Sequence, residues 1–70
     1  MQKHRIMKII IEPENKEVEL KKIKSVRALL NKLNLYPNQA LIIRNKELLT
    51  PDEKLFPNDT IIVRKVASRG

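Results

Sequence analysis

Thr60-Ile61-Ile62-Val63-Arg64-Lys65-Val66 is the longest β-branched run in this 70-residue chain, and its reading decides the fold. Side chains branched at Cβ fit a pleated surface better than a helix, so the run is predicted to be a strand at the sheet centre. Pro57-Asn58-Asp59 before it reads as a turn. Further back, Ala40-Leu41-Ile42-Ile43-Arg44 is a second strand, followed by Asn45-Lys46 as a two-residue turn and Glu47-Leu48-Leu49 as a short partner strand. Thr50-Pro51-Asp52-Glu53-Lys54 reads as a turn or one loose helical turn, with Leu55 and Phe56 expected to plug the open end of the core.

The N-terminal half supplies the other side of the sheet. Arg5 to Ile11 is rich in Ile without a helical period and ends in the turn-forming cluster Glu12-Pro13-Glu14-Asn15. Glu17-Val18-Glu19-Leu20-Lys21 then alternates strictly, so the two stretches are predicted to form a hairpin. Ser25 is a good N-cap, and Val26, Leu29, Leu30 and Leu33 after it share one helical face. The helix is expected to end near Leu33, with Asn34 in the left-handed position and Pro37 preventing continuation. Strand, strand, helix, strand, short strand, strand is an α+β order: one helix across one face of a mixed sheet of four to five strands, the β-grasp or ubiquitin-like pattern. Residues 1–66 are read as a single domain and 67–70 as a flexible tail.

Size and composition bound the rest. A chain this short buries only about 60% of its unfolded surface, and with no cysteine it must be held by aliphatic packing without a disulfide or thiolate metal site. Met1 to Met7 is basic and is followed by only a strand-length apolar segment interrupted by Lys8, which is neither a signal peptide nor a membrane span; the expectation is a cytoplasmic protein with no membrane partner, monomeric when free. Fifteen Lys and Arg against eight Asp and Glu give +7. Lys21, Lys22, Lys24, Arg27, Lys32, Arg44 and Lys46 fall in a stretch without a single acidic residue. That surface attracts RNA or an acidic protein, and a non-catalytic interaction module using it is the alternative to the carrier reading below. One Tyr and one Phe argue against binding of single strands by base stacking.

Catalysis finds no footing. His4 is the only histidine and has no Cys or second His with which to share a metal. Ser25 reads as a helix cap and Ser68 as a tail residue, with no base placed for either. Glu12, Glu14, Glu17 and Glu19 lie on a hairpin edge, and one glycine cannot make a phosphate-binding loop. The chain is therefore read as a non-enzyme with no bound cofactor and no metal.

Two features remain. The only glycine is Gly70, the last residue given, in a chain whose turns use Pro and Asn. An unhindered carboxylate on a flexible tail can be threaded into a narrow active site. In addition, if Met7, Ile9, Ile11, Val18, Leu20, Leu41, Ile43, Ile61 and Val63 face the helix, the opposite pleat carries Ile6, Lys8, Ile10, Ala40, Ile42, Arg44, Ile62, Arg64 and Val66. From that set Ile6, Ile10, Ile42, Arg44, Ile62, Arg64 and Val66 are expected to form a partner-docking face that runs along the last strand into the tail.

In length, element order, Glu47-Leu48-Leu49-Thr50, Asp59-Thr60-Ile61 and the ending Val66-Ala67-Ser68-Arg69-Gly70, the chain resembles the small β-grasp sulfur carriers of the ThiS and MoaD type, including those of transfer-RNA thiolation and the small archaeal-type modifiers. The resemblance implies that an E1-like, ATP-using enzyme similar to ThiF or MoeB adenylates the Gly70 carboxylate, which then becomes a thiocarboxylate. It implies a second partner that accepts the sulfur, in transfer-RNA thiolation, thiazole synthesis for thiamine, or molybdopterin synthesis. Of these, the Glu47–Thr50 and last-strand likeness and the positive charge favour transfer-RNA thiolation. Related members are also joined to target-protein lysines. The family normally ends in Gly-Gly, whereas Arg69 here is long and cationic beside the reacting carbonyl; it either hinders passage into an activating tunnel or pairs with ATP phosphates or a partner carboxylate.

Overall fold

The computed structural model describes residues 6–66. Five strands, β1 (Ile6–Glu12), β2 (Lys16–Lys21), β3 (Ala40–Arg44), β4 (Glu47–Leu49) and β5 (Thr60–Lys65), form one sheet in the order β2-β1-β5-β3-β4. A helix, α1 (Val26–Lys32), and a 3₁₀ turn, Pro37–Gln39, lie between β2 and β3. Only β1 and β5 run parallel; the other pairs are antiparallel. The long β-branched run is the central strand, as its composition demands, and the mixed sheet with one helix is the α+β, β-grasp arrangement.

Each element ends for an identifiable local reason. Ser25 caps α1, its Oγ accepting the Ala28 N–H at 3.1 Å. At the other end Asn34 adopts φ 61°, the Leu35 N–H reaches back to the Leu30 carbonyl and the Asn34 N–H to the Asn31 carbonyl, so the last carbonyls of the helix are satisfied by a Schellman closure. Leu33 is the C-cap and not a helical residue, which makes α1 seven residues long, slightly shorter than its apolar spacing implies. Asn45 and Lys46 both have positive φ, 54° and 66°, as a hairpin turn matched to strand twist requires. Asn15, Lys22 and Asn58 adopt the same region, so among the described residues every left-handed position is filled without glycine.

The core is a set of cross-strand rows beneath α1. Val18, Ile9 and Ile61 are aligned across β2, β1 and β5; Ile11, Val63, Ile42 and Leu49 are aligned across β1, β5, β3 and β4. Val26, Leu29 and Leu30 of α1 cover these rows, and Met7 and Leu55 complete the cluster. Phe56 does not plug the core as expected: it is 54% exposed, while Leu55 beside it is 4% exposed and does the sealing.

The main correction concerns β3. Its inward residues are Ala40 and Ile42, at 5% and 2% exposure, and Leu41 and Ile43 point to the other face. Alternation alone is ambiguous in Ala-Leu-Ile-Ile-Arg because both parities carry aliphatics; the register resolves it, since Ile42 lies opposite buried Val63 and buried Leu49. A direct check is a pair of truncations followed by urea unfolding. Ile42→Ala is expected to cost about 2–4 kcal/mol by leaving a cavity, and Ile43→Ala less than half of that; the reverse order would restore the opposite parity. Lys46→Gly is expected to raise the unfolding free energy by about 1 kcal/mol, because a residue with Cβ is strained at that left-handed position.

Candidate functional site

The face of the sheet opposite α1 carries a continuous apolar row. Ile10 lies beside Ile62, Ile62 beside Ile43, and Ile43 beside Leu48, so the row crosses four strands in register. Next to it, Glu12, Arg64 and Leu41 form a parallel row nearer the end of β5. Leu48 is 62% exposed and Leu41 38%, while Ile10, Ile43 and Ile62 are half-buried by one another. Large aliphatics contiguous across a sheet, rimmed by charge, have the make-up of a contact surface and not of a solvated pleat. The rim charges are paired: Arg64 Nε donates to Glu12 Oε1 at 2.9 Å and Lys8 Nζ lies 3.2 Å from Glu17 Oε2.

Of the residues expected on this face, Ile6, Ile10, Ile62 and Arg64 are there, and Val66 is exposed just beyond the end of β5. Ile42 and Arg44 are not, because of the β3 parity: Ile42 is in the core, and Arg44 sits at the edge of the helix side. Arg44 instead clamps the loop before β5. Its guanidinium donates to Asp59 Oδ2 at 3.2 Å and to the Lys54 carbonyl at 3.0 Å, and lies 5.9 Å from the centroid of the Phe56 ring. Asp59 Oδ2 also accepts the Phe56 N–H. Sequence reasoning missed Leu41, Ile43 and Leu48. The two-residue turn at Asn45-Lys46 sets Ile43 opposite Leu48, so Leu48 follows Ile43 to the open face once the β3 parity is known.

The end of β5 is tied down on two sides. Lys65 Nζ donates to Glu14 Oε2 at 2.9 Å, joining the strand to the β1–β2 turn, and the Val66 N–H bonds the Gln39 carbonyl at 3.0 Å. The Lys65 hydrogen bond, with a backbone N–H, holds the Glu14 carboxyl below its usual range. The tail residues Ser68, Arg69 and Gly70 lie outside the described residues, as does His4. Their point of departure is therefore the central strand, at the end of the sheet bearing Glu12, Pro13 and Glu14.

The other side chains weighed for chemistry have structural occupations. Ser25 is the helix cap, and Glu12, Glu14 and Glu17 are engaged by Arg64, Lys65 and Lys8. Among the described residues no helix is long and apolar enough to cross a membrane. Lys22, Lys24, Arg27 and Lys32 are all exposed, on the β2–α1 connection and the helix, while exposed Lys21 ends β2 opposite Ile6 on the open sheet face.

Fold and surface together define a β-grasp protein with an apolar sheet face beside the departure point of its C-terminal segment. No family model matches the chain. It is 35% identical over 65 residues, 91% of this chain and the full length of its counterpart, to the sulfur carrier protein TtuB of Thermus thermophilus. The chain belongs to the sulfur carrier protein family. It is thus a carrier and not itself an enzyme, and that role implies in general an activating enzyme and a sulfur acceptor.

The tether at the end of β5 has a pH signature. Glu14 has a folded pKa below its ordinary 4.5, so its contribution to folding is complete above the ordinary value and is lost as pH falls through the lower, folded one. Carboxyl NMR titration is expected to place the native Glu14 midpoint below 4.5 and to move it up toward that value in Lys65→Gln. An unmoved midpoint would show that the Lys65 contact is absent in solution.

Proposed function

We propose that the chain carries sulfur as a thiocarboxylate on Gly70 and delivers it for transfer-RNA thiolation. In the first step a Gly70 carboxylate oxygen attacks the α-phosphate of ATP on the activating enzyme, forming an acyl adenylate and releasing pyrophosphate. A sulfide equivalent then displaces AMP, leaving carbon bonded to sulfur in place of one oxygen. ATP belongs to the partner enzyme, and the carrier itself holds no cofactor. The same acyl adenylate is open to attack by a lysine amine, which gives the route to attachment on target proteins.

The observation that carries this reading is the similarity, over its counterpart's full length, to a sulfur carrier protein, in a chain whose central strand is separated from Gly70 by four residues in sequence. The transfer-RNA destination draws support from the Glu47-Leu48-Leu49-Thr50 and last-strand likeness and from the positive charge. The Ile10–Ile62–Ile43–Leu48 row, with Leu41 and Arg64, serves as the docking face for the activating enzyme: it is apolar, contiguous, and adjacent to where the tail departs. Arg69 enters the activating site immediately before the reacting carbonyl, where its guanidinium is matched to ATP phosphate.

Incubation with the activating enzyme, ATP and a sulfide donor is expected to increase the intact mass by the difference between one sulfur and one oxygen atom. Deleting Gly70 is expected to abolish the change, and Leu48→Asp, at an exposed position, to slow it about tenfold with the circular dichroism spectrum retained. Unchanged mass with a competent enzyme, or full conversion after deletion of Gly70, would overturn the carrier assignment; a normal rate for Leu48→Asp would remove the docking face alone.

A further inference from the structure

At the end of the sheet far from the tail, a groove of about 680 Å³ opens between the β2–α1 connection and the loop before β5. Its apolar floor and wall come from Met7, Ile23, Leu55, Phe56 and Pro57. Lys22, Lys24 and Lys54 stand along it against a single carboxylate, Asp52, whose Oδ1 already accepts the Thr50 hydroxyl at 2.7 Å. A hollow of this volume, mostly apolar and with more cations than carboxylates at its edge, has the general form of a binding site.

The walls are held in place by backbone bonds that also satisfy the first N–H groups of α1 and seat the core residue Leu55. The Leu55 N–H reaches the Lys24 carbonyl at 2.9 Å, the Val26 N–H the Glu53 carbonyl at 3.0 Å and the Arg27 N–H the Pro51 carbonyl at 3.0 Å, stitching the two segments together. Phe56 is kept exposed at the rim by the Arg44–Asp59 clamp, which fixes both its N–H and one face of its ring. A preformed groove lowers the ordering cost of whatever enters it.

We propose that this groove docks an acidic segment of a partner protein bearing one bulky apolar side chain, and that it can be filled while the tail is engaged elsewhere. The lysines meet the acidic residues and the floor takes the anchor, so charge and shape point to the same occupant. RNA fits less well: Phe56 is the only aromatic side chain in the lining and Arg44 already covers one face of it, leaving little for bases to stack on. Simultaneous use follows from topology. Because β1 and β5 are parallel, Met7 and Thr60 share one end of the sheet and Glu12 and Arg64 the other. The six residues of β5 therefore set the groove about 20 Å from the tail's departure point.

The test is a ¹⁵N NMR titration of the full chain with an acidic peptide of aspartates and glutamates around one phenylalanine. Amide shifts are expected at residues 22–25 and 52–57, with affinity falling about tenfold when the phenylalanine is replaced by serine, and by a similar factor in the Lys24→Glu/Lys54→Glu variant, whose remaining spectrum reports an intact fold. Shifts centred on Leu41, Ile43 and Leu48, shifts spread over every lysine-bearing segment, no shift at millimolar peptide, or tighter binding of a short single-stranded RNA at the same residues would each overturn it. The simultaneity arm rests on the carrier reading: saturating peptide should leave the rate of sulfur loading on Gly70 unchanged, and inhibition would show that the two events exclude each other. Peptide binding is read without any activating enzyme, so a failure of the carrier reading leaves the groove result standing.

Discussion

The parallel pairing of β1 with β5 is the contact on which everything else depends. It joins segments more than fifty residues apart, as the Glu12–Arg64 bond at a separation of 52 shows, and so closes nearly the whole chain into one loop. The entropy of that closure must be met by local burial. Ile9, Ile61 and Val63, all fully buried, lie in this pairing, and Leu29 covers them from α1. In a small chain without cysteine, a cavity under this pair has no disulfide to offset it. The helix, by contrast, is too short to persist alone and exists because the sheet gives its apolar stripe a partner.

With the centre fixed, the turns decide how much freedom remains. Asn15, Asn34, Asn45 and Asn58 take the left-handed conformations that the hairpins and the helix end require, and asparagine is the residue with Cβ best suited to them. Lys22 and Lys46 do so at greater cost. The result is a fold that places its single glycine outside every described turn, so loss of Gly70 would leave each of them intact.

The element order and strand limits were readable because the relevant signals are local: β-branched runs, an Asn-Lys turn, a Ser cap with aliphatics at helical spacing. The facing of β3 was not. Leu41, Ile42 and Ile43 are nearly interchangeable in hydrophobicity, and what distinguishes them is that Ile42 meets Val63 of β5, a strand much later in the chain. The apolar face expected to dock a partner changes accordingly, losing Ile42 and Arg44 and gaining Leu41, Ile43 and Leu48. The groove was invisible for the same reason: Lys22, Ile23, Lys54 and Phe56 are brought together by backbone bonds between segments with no mutual pattern in the sequence.

The distribution of charge sets the two proposed surfaces apart on one small body. On the open sheet face Arg64 and Lys8 are partnered by Glu12 and Glu17, so that surface presents little net field and must attract by burial of its aliphatic row. The exposed cations Lys22, Lys24, Arg27 and Lys32 lie on the β2–α1 connection and helix, where they set the long-range field. Salt therefore acts differently on the two surfaces: it screens approach to the helix side within about a Debye length, ~8 Å at physiological ionic strength, and leaves a contact made by the Ile10–Leu48 row nearly unchanged. On the proposed readings, a partner at the sheet face is selected by shape, and one at the groove by charge first and by its apolar anchor second.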